Sequence, residues 1–166
     1  MDLKTGLDYG PNHLSHYQLT LEPNTPFYLQ PPPLPKHETT LNMMQEGQAL
    51  IHQYGYDHYE VSAYAKPHHR CVHNEHIWRF GDYLGLGAGA HSKMGNTRWM
   101  SPKHPKAYMQ DPTTRYDIKH LDQDDLIFEY MLNHLRLQGP IDYQHFQRQT
   151  NLNPTLLNTA LNQASA

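Results

Sequence analysis

Apolar and polar positions alternate along two stretches of this chain and recur at helical spacing along several others. In residues 13–21, HLSHYQLTL, Tyr17, Leu19 and Leu21 fall on one face and His16, Gln18 and Thr20 on the other, with Glu22 continuing the polar side. A period of two predicts a strand. Residues 56–65, YDHYEVSAYA, predict a second strand, with Glu60, Ser62 and Tyr64 opposite Tyr59, Val61 and Ala63. Residues 83–90 predict a third. Residues 2–9 read as the tail of an amphipathic helix ending at Gly10-Pro11. Residues 37–55 read as a full helix, striped by Leu41, Met44, Leu50, Ile51 and Tyr54 and closed by Gly55. Phe128, Met131, Leu132 and Leu135 stand at i, i+3, i+4 and i+7 of a helix over 122–137, with Asp122 as its cap. Asp142 caps a shorter helix to about residue 149, and Asn153-Pro154 opens a last one. Residues 23–36 form a loop whose Pro31 to Pro35 run suits polyproline II. Residues 92–121, interrupted by Pro102, Pro105 and Pro112, read as irregular.

Strand, helix and strand in that order predict a βαβ unit and a parallel sheet. The expected fold class is α/β, with domain limits at 1–100, a linker at 101–120 and a helical domain at 121–166. The chain opens on a helix end and stops without a closing element, so a truncated piece of a larger fold is expected. Ligands of parallel α/β sheets sit beyond the carboxyl ends of the strands. The polar face of the first strand serves either such a crevice or a wet sheet edge.

Residues 71–92, CVHNEHIWRFGDYLGLGAGAHS, hold the one cysteine, three of the fourteen histidines and one of the two tryptophans. Gly85, Gly87 and Gly89 share one face if this segment is a strand, and a bare strand face invites close approach by another backbone or by a ligand. Gly85, Gly87 and Ala90 also fit the string of a dinucleotide fingerprint, but no apolar helical period follows, so that reading fails. Residues 68–78 read as a loop leaving the carboxyl end of the second strand, and in it Cys71, His73, Asn74, His76 and Trp78, with His68 and His69 just before them, supply metal-ligating and aromatic groups. A single cysteine excludes a cysteine-rich zinc or iron–sulfur site.

Thirteen basic against sixteen acidic residues give a net charge of −3, which points to neither nucleic acid nor an anionic membrane. The last two helices resemble a helix-turn-helix. Residues 121–166 carry two basic and five acidic side chains, however, so this part is read as a packing or partner module. No apolar run reaches the ~18 residues of a membrane span. The N-terminus lacks a secretion pattern. One cysteine suits a reducing, cytoplasmic setting.

Three stretches carry a resemblance: HYQLTLEPNTPF, YEVSAYAKPHHRCVHNEHIWRFGDYLGLGAGAHS, and HPKAYM with the helices after it. Together they resemble the C-terminal half of the HemW family of radical-SAM heme chaperones, relatives of oxygen-independent coproporphyrinogen III oxidase. The resemblance runs from about His13 onward. It implies the C-terminal part of a partial (β/α)6 barrel followed by a small helical domain. It implies, in an intact member, a [4Fe-4S] cluster and S-adenosyl-L-methionine, the cluster being held by a C-x3-C-x2-C motif that this chain does not contain. The family's heme-associated H-N-x-x-Y-W motif reads His73-Asn74-Glu75-His76-Ile77-Trp78 here, with Ile77 in place of tyrosine. The resemblance therefore implies heme contacts at His73, Asn74 and Trp78, with His73 as iron ligand. It implies S-adenosylmethionine contacts at Thr20, Glu22, Gly87, Gly89 and His91. It implies heme transfer to an acceptor protein that the sequence does not identify. No catalytic residue is assigned, and no catalysis is expected from this stretch alone. The alternatives are coproporphyrinogen III oxidation and a non-functional fragment.

Overall fold

Residues 2–164 are described by the computed structural model of the chain, and they divide into two units between Cys71 and Val72. In the first unit the order is α1 (Asp2–Asp8), β1 (His13–Ser15), α2 (Pro26–Leu29), α3 (His37–Gln53), β2 (Asp57–Glu60) and β3 (Ala63–Ala65). The sheet runs β1-β3-β2, and both pairings are antiparallel.

The parallel βαβ reading is thus corrected. β1 and β2 do run in one direction, but β3 lies between them. The stretch read as a single strand folds back at Val61-Ser62, where the Glu60 carboxylate accepts the Ser62 amide at 3.2 Å and its hydroxyl at 3.1 Å. Because β3 has only three residues, β1 also stops at Ser15. Beyond it Tyr17 and Leu19 are exposed rather than forming a buried face. Tyr64 faces Leu7, Ile51 and Tyr56, while Ala63 and Ala65 face Tyr59 on the other side. Gly47, inside α3, brings its backbone against His16, where a Cβ would lie 2.9 Å from the ring.

The second unit holds α4 (Val72–Trp78), β4 (His91–Met94), β5 (Thr97–Met100), α5 (Pro105–Gln110), β6 (Tyr116–His120), α6 (Gln123–His134), α7 (Tyr143–Thr150) and α8 (Thr155–Ala164). β4, β5 and β6 form an antiparallel sheet in that order. Two expectations fail here. Residues 68–78 do not form a loop throughout, because α4 occupies Val72–Trp78. Residues 92–121 are not irregular, because the prolines fall between elements or at the first turn of α5, where a missing N–H costs nothing. The caps follow the sequence: Asp122 accepts from the Asp125 amide, Asp142 from the Gln144 and His145 amides, and Asn153 from the Thr155 amide.

The core of this unit joins Phe80, Leu121, Leu126, Tyr130, Phe146 and Leu157. α6 turns Leu126, Tyr130 and His134 inward, whereas Phe128, Leu132 and Leu135 of the expected stripe are exposed and Met131 is half-buried. The inward row is i, i+4 and i+8 and contains two rings with polar atoms, so an apolar count alone selects the wrong face.

That row includes a titratable imidazole, His134. His134 stacks on Tyr130 at 5.2 Å, and the His145 ring lies 6.4 Å from that of His134. Burial pushes both imidazoles below their ordinary value, helped by the Arg79 charge and opposed by Asp142; Arg148 adds to the effect at His145, and the Pro140 backbone opposes it at His134. A depressed histidine stabilises the fold fully above its unfolded value of about 6.5, and the contribution is lost as pH falls through the folded value. Thermal melts of the chain are therefore expected to shift downward between pH 7 and pH 5, and His134→Phe is expected to flatten that dependence. An unchanged slope in the variant would deny His134 the role.

Candidate functional site

Of the three expected heme contacts on α4, Asn74 and Trp78 are four residues apart and share a face, and His73 lies on another. At about 100° per residue, His73 lies about 140° around the helix from Trp78. Asn74 and Trp78 are half-buried, while Val72, His73 and His76 are exposed. The indole of Trp78 lies beneath the Arg136 guanidinium, 4.3 Å from ring to charge. Its buried Nε1 finds no acceptor among the described residues. Trp78 therefore holds α4 to its own unit. The His76 Nε2 is 2.6 Å from the Asp82 carbonyl oxygen, and Glu75 pairs with Arg79 at 3.7 Å. The His73 side chain is exposed and its imidazole makes no hydrogen bond to any described residue. Its imidazole is turned outward.

The glycine ladder is not a strand. Within it only Tyr83 bridges, to Lys93, and Gly87 and Gly89 have φ of +117° and +71°, which a strand excludes. Gly85 is spent on the chain itself: a Cβ there would lie 2.1 Å from the His91 carbonyl oxygen, and its amide donates to the Ser92 hydroxyl at 2.9 Å. Gly87 and Gly89 differ from it. A Cβ placed on Gly87 would meet nothing within 4 Å, and one on Gly89 would meet only the Lys103 Cα, at 3.8 Å. Two of the three bare positions thus stay open, on a loop that leads to an exposed His91.

Thr20 and Glu22 belong to the first unit, in an irregular exposed segment. The Glu22 carbonyl accepts the Thr25 hydroxyl at 2.7 Å, and Thr25 in turn caps α2. Among the described residues, no three histidine, cysteine, aspartate or glutamate side chains converge as a protein-built metal site requires. Heme iron asks for less, since one exposed imidazole suffices as an axial ligand.

Sequence reasoning missed several groups. Lys93 is buried, donating to the Phe80 carbonyl at 3.1 Å and to the Asp82 carboxylate at 3.0 Å. Trp99 is buried beneath the Arg115 guanidinium at 4.3 Å. No polar/apolar alternation marked this strand, because Trp99, Met100 and Ser101 are buried in succession.

No family model matches the chain. It is 41% identical over 156 residues to the heme chaperone HemW of Haemophilus influenzae, covering 91% of this chain and 40% of that protein. It is 38% identical over 172 residues to HemW of Escherichia coli, covering 99% of this chain and 45% of that protein. It is 32% identical to the mouse protein named radical S-adenosyl methionine domain-containing protein 1, mitochondrial, covering 82% and 35%. The solved structure of coproporphyrinogen III oxidase from Escherichia coli, described as a radical SAM enzyme, matches with a TM-score of 0.69 at 21% identity. That match covers 90% of this chain and 39% of the oxidase. At such identity the likeness bears on fold alone: the chain has the α/β fold of part of a radical SAM protein. The chain spans less than half the length of the curated relatives named above. By these matches the chain is a relative of the HemW heme chaperones.

Proposed function

We propose that this chain is the heme-contacting portion of a HemW-type protein, which binds heme and passes it to an acceptor protein in the cytoplasm. The carrying observation is His73, an exposed imidazole without an internal partner, on a helix anchored from its opposite side by Trp78. Bound heme would supply an iron with an open axial position, and the imidazole of His73 would fill it. Asn74 follows His73 on the same helix, about 100° around it, and would offer its amide to the ligand's polar edge. Trp78 acts here by fixing α4 rather than by meeting the ligand. The stronger matches to HemW favour transfer over coproporphyrinogen III oxidation, since the oxidase matches at 21% identity.

The radical-SAM relationship implies a [4Fe-4S] cluster and S-adenosylmethionine in a complete protein. The donor set here does not fit the cluster, which takes several thiolates where this chain has only Cys71. Gly87 and Gly89 do fit close approach by a nucleoside, because their open sides carry no neighbouring side chain. His91, on the same loop, is proposed as a polar contact beside them, and Thr20 and Glu22 are proposed as S-adenosylmethionine contacts on the resemblance of their own segment alone. Among the described residues no helix is long and apolar enough to cross a membrane.

Hemin titrated into the purified chain is expected to give a saturable Soret band at one heme per chain. His73→Ala is expected to remove that band while leaving the melting curve in place, because the side chain is exposed. An unchanged spectrum and affinity in the variant would reject His73 as the ligand.

A further inference from the structure

A pocket of about 190 Å³ opens in the second unit, lined in part by Leu84, Leu86, Trp99, Ser101, Tyr108 and Arg115. It lies wholly within residues 84–115 and includes none of the heme-motif positions. Its floor is the buried indole of Trp99. The guanidinium of Arg115 is held over that ring at 4.3 Å and makes no hydrogen bond or ion pair with any described residue. Stacking fixes the plane of an arginine while leaving its five N–H donors unspent. The hydroxyls of Ser101 and Tyr108 likewise make no hydrogen bond among the described residues, and Ser101 is otherwise buried. Leu84 and Leu86 are exposed, so the pocket has apolar walls near its mouth.

The adjoining turn is fixed from below. The Asp111 carboxylate accepts from the Thr113 amide at 2.9 Å and from the hydroxyls of Thr113 and Thr114, which hold its carboxyl down to about 2. Its charge is spent on positioning the loop that presents Arg115. The cation above the indole has no such partner.

We propose that this pocket is a binding site for a carboxylate carried on an aromatic or apolar body, with Arg115 pairing the carboxylate and Trp99, Leu84 and Leu86 covering the body. Its volume decides the size of the ligand. Drug-sized ligands occupy pockets of roughly 300 Å³ and above, so this one takes a fragment or a single arm of something larger. Arginine is the side chain best matched to a carboxylate, through two parallel N–H donors. The neighbouring hydroxyls of Ser101 and Tyr108 can donate to the same oxygens. The site does not rest on the heme reading, and an iron-free probe tests it separately.

The probe is 3-phenylpropionate, with 3-phenylpropionamide as its neutral counterpart, titrated into the 15N-labelled chain. The two tryptophans give two indole N–H signals, assigned with Trp99→Phe. The signal of Trp99 is expected to move saturably with the acid, while that of Trp78 stays in place. The amide is expected to leave both unmoved. Arg115→Gln is expected to weaken the apparent affinity by about tenfold, the loss of one charge-assisted pair. Arg115 is exposed, so the variant keeps the fold, and an unmoved Trp78 signal verifies it. No saturable movement of the Trp99 signal, equal response to the amide, or undiminished affinity in Arg115→Gln would each overturn the site.

Discussion

Tyr130→Ala is expected to remove about 4 kcal/mol of stability, the middle of the range for emptying an aromatic from a core. Tyr130 is fully buried on α6 and its ring meets four others: Phe146 at 5.0 Å, His134 at 5.2 Å, and Phe80 and His145 at 5.9 Å. Its hydroxyl lies 3.1 Å from the His145 Nδ1. Burial, together with the Asp142 charge, pushes that hydroxyl up to about 12, so it stays protonated through the accessible pH range. Tyr130→Phe separates the two contributions. It keeps the ring contacts and is expected to cost only about 1 kcal/mol, the worth of one hydrogen bond. Urea denaturation of the three proteins gives both differences, and amide exchange along α6 and α7 locates them. A loss below about 1 kcal/mol in the alanine variant would mean that this cluster is not the keystone of the second unit.

Lys93→Ala ranks next, at about 3 kcal/mol. A lysine with 1% of its side chain exposed must keep its charge satisfied, and this one does so through the Phe80 carbonyl, the Asp82 carboxylate and the Phe80 ring 4.0 Å away. The alanine variant leaves that carbonyl without its donor and opens a void the length of the stem. Lys93→Met keeps most of the stem, and the loss is expected to fall to about 2 kcal/mol. Asp82→Asn should cost less than either, because water reaches nearly half of that side chain and screens the pair. The order alanine, methionine, asparagine in chemical denaturation is the check. A neutral Lys93→Ala would show that the amine is dispensable.

The sequence made the helices legible wherever a short polar side chain stands before an apolar run. Asp122, Asp142 and Asn153 cap where their spacing says they should, and α3 ends two residues before Gly55. The sheets were much less legible. Val61-Ser62 contains neither glycine nor proline, so nothing in the residue types announces a reversal; a glutamate two positions back stabilises it instead. Pro102, Pro105 and Pro112 suggested irregular structure where two strands and a helix flank them. The stripe on α6 was counted by hydrophobicity, and the structure buries Tyr130 and His134 in preference to Phe128 and Leu132 because their rings stack with one another. At the candidate site the sequence singled out His73 and Trp78 together. Their separation around α4 depends on the helix having begun at Val72, which the chemistry of the loop residues did not signal. Gly85 was grouped with Gly87 and Gly89 by spacing alone. The structure parts them, because only the first is pressed on a carbonyl of its own chain.

The β1-β3-β2 order sets a timetable for the first unit. The β2–β3 hairpin closes over two residues, whereas His13 must find Ala65 across the whole of α3 and the loop before it. Closing the longer loop costs more entropy, and contacts distant along the chain form slowly. β1 is therefore the last strand to dock. A nascent chain would wait with one edge of this small sheet uncovered until α3 has consolidated.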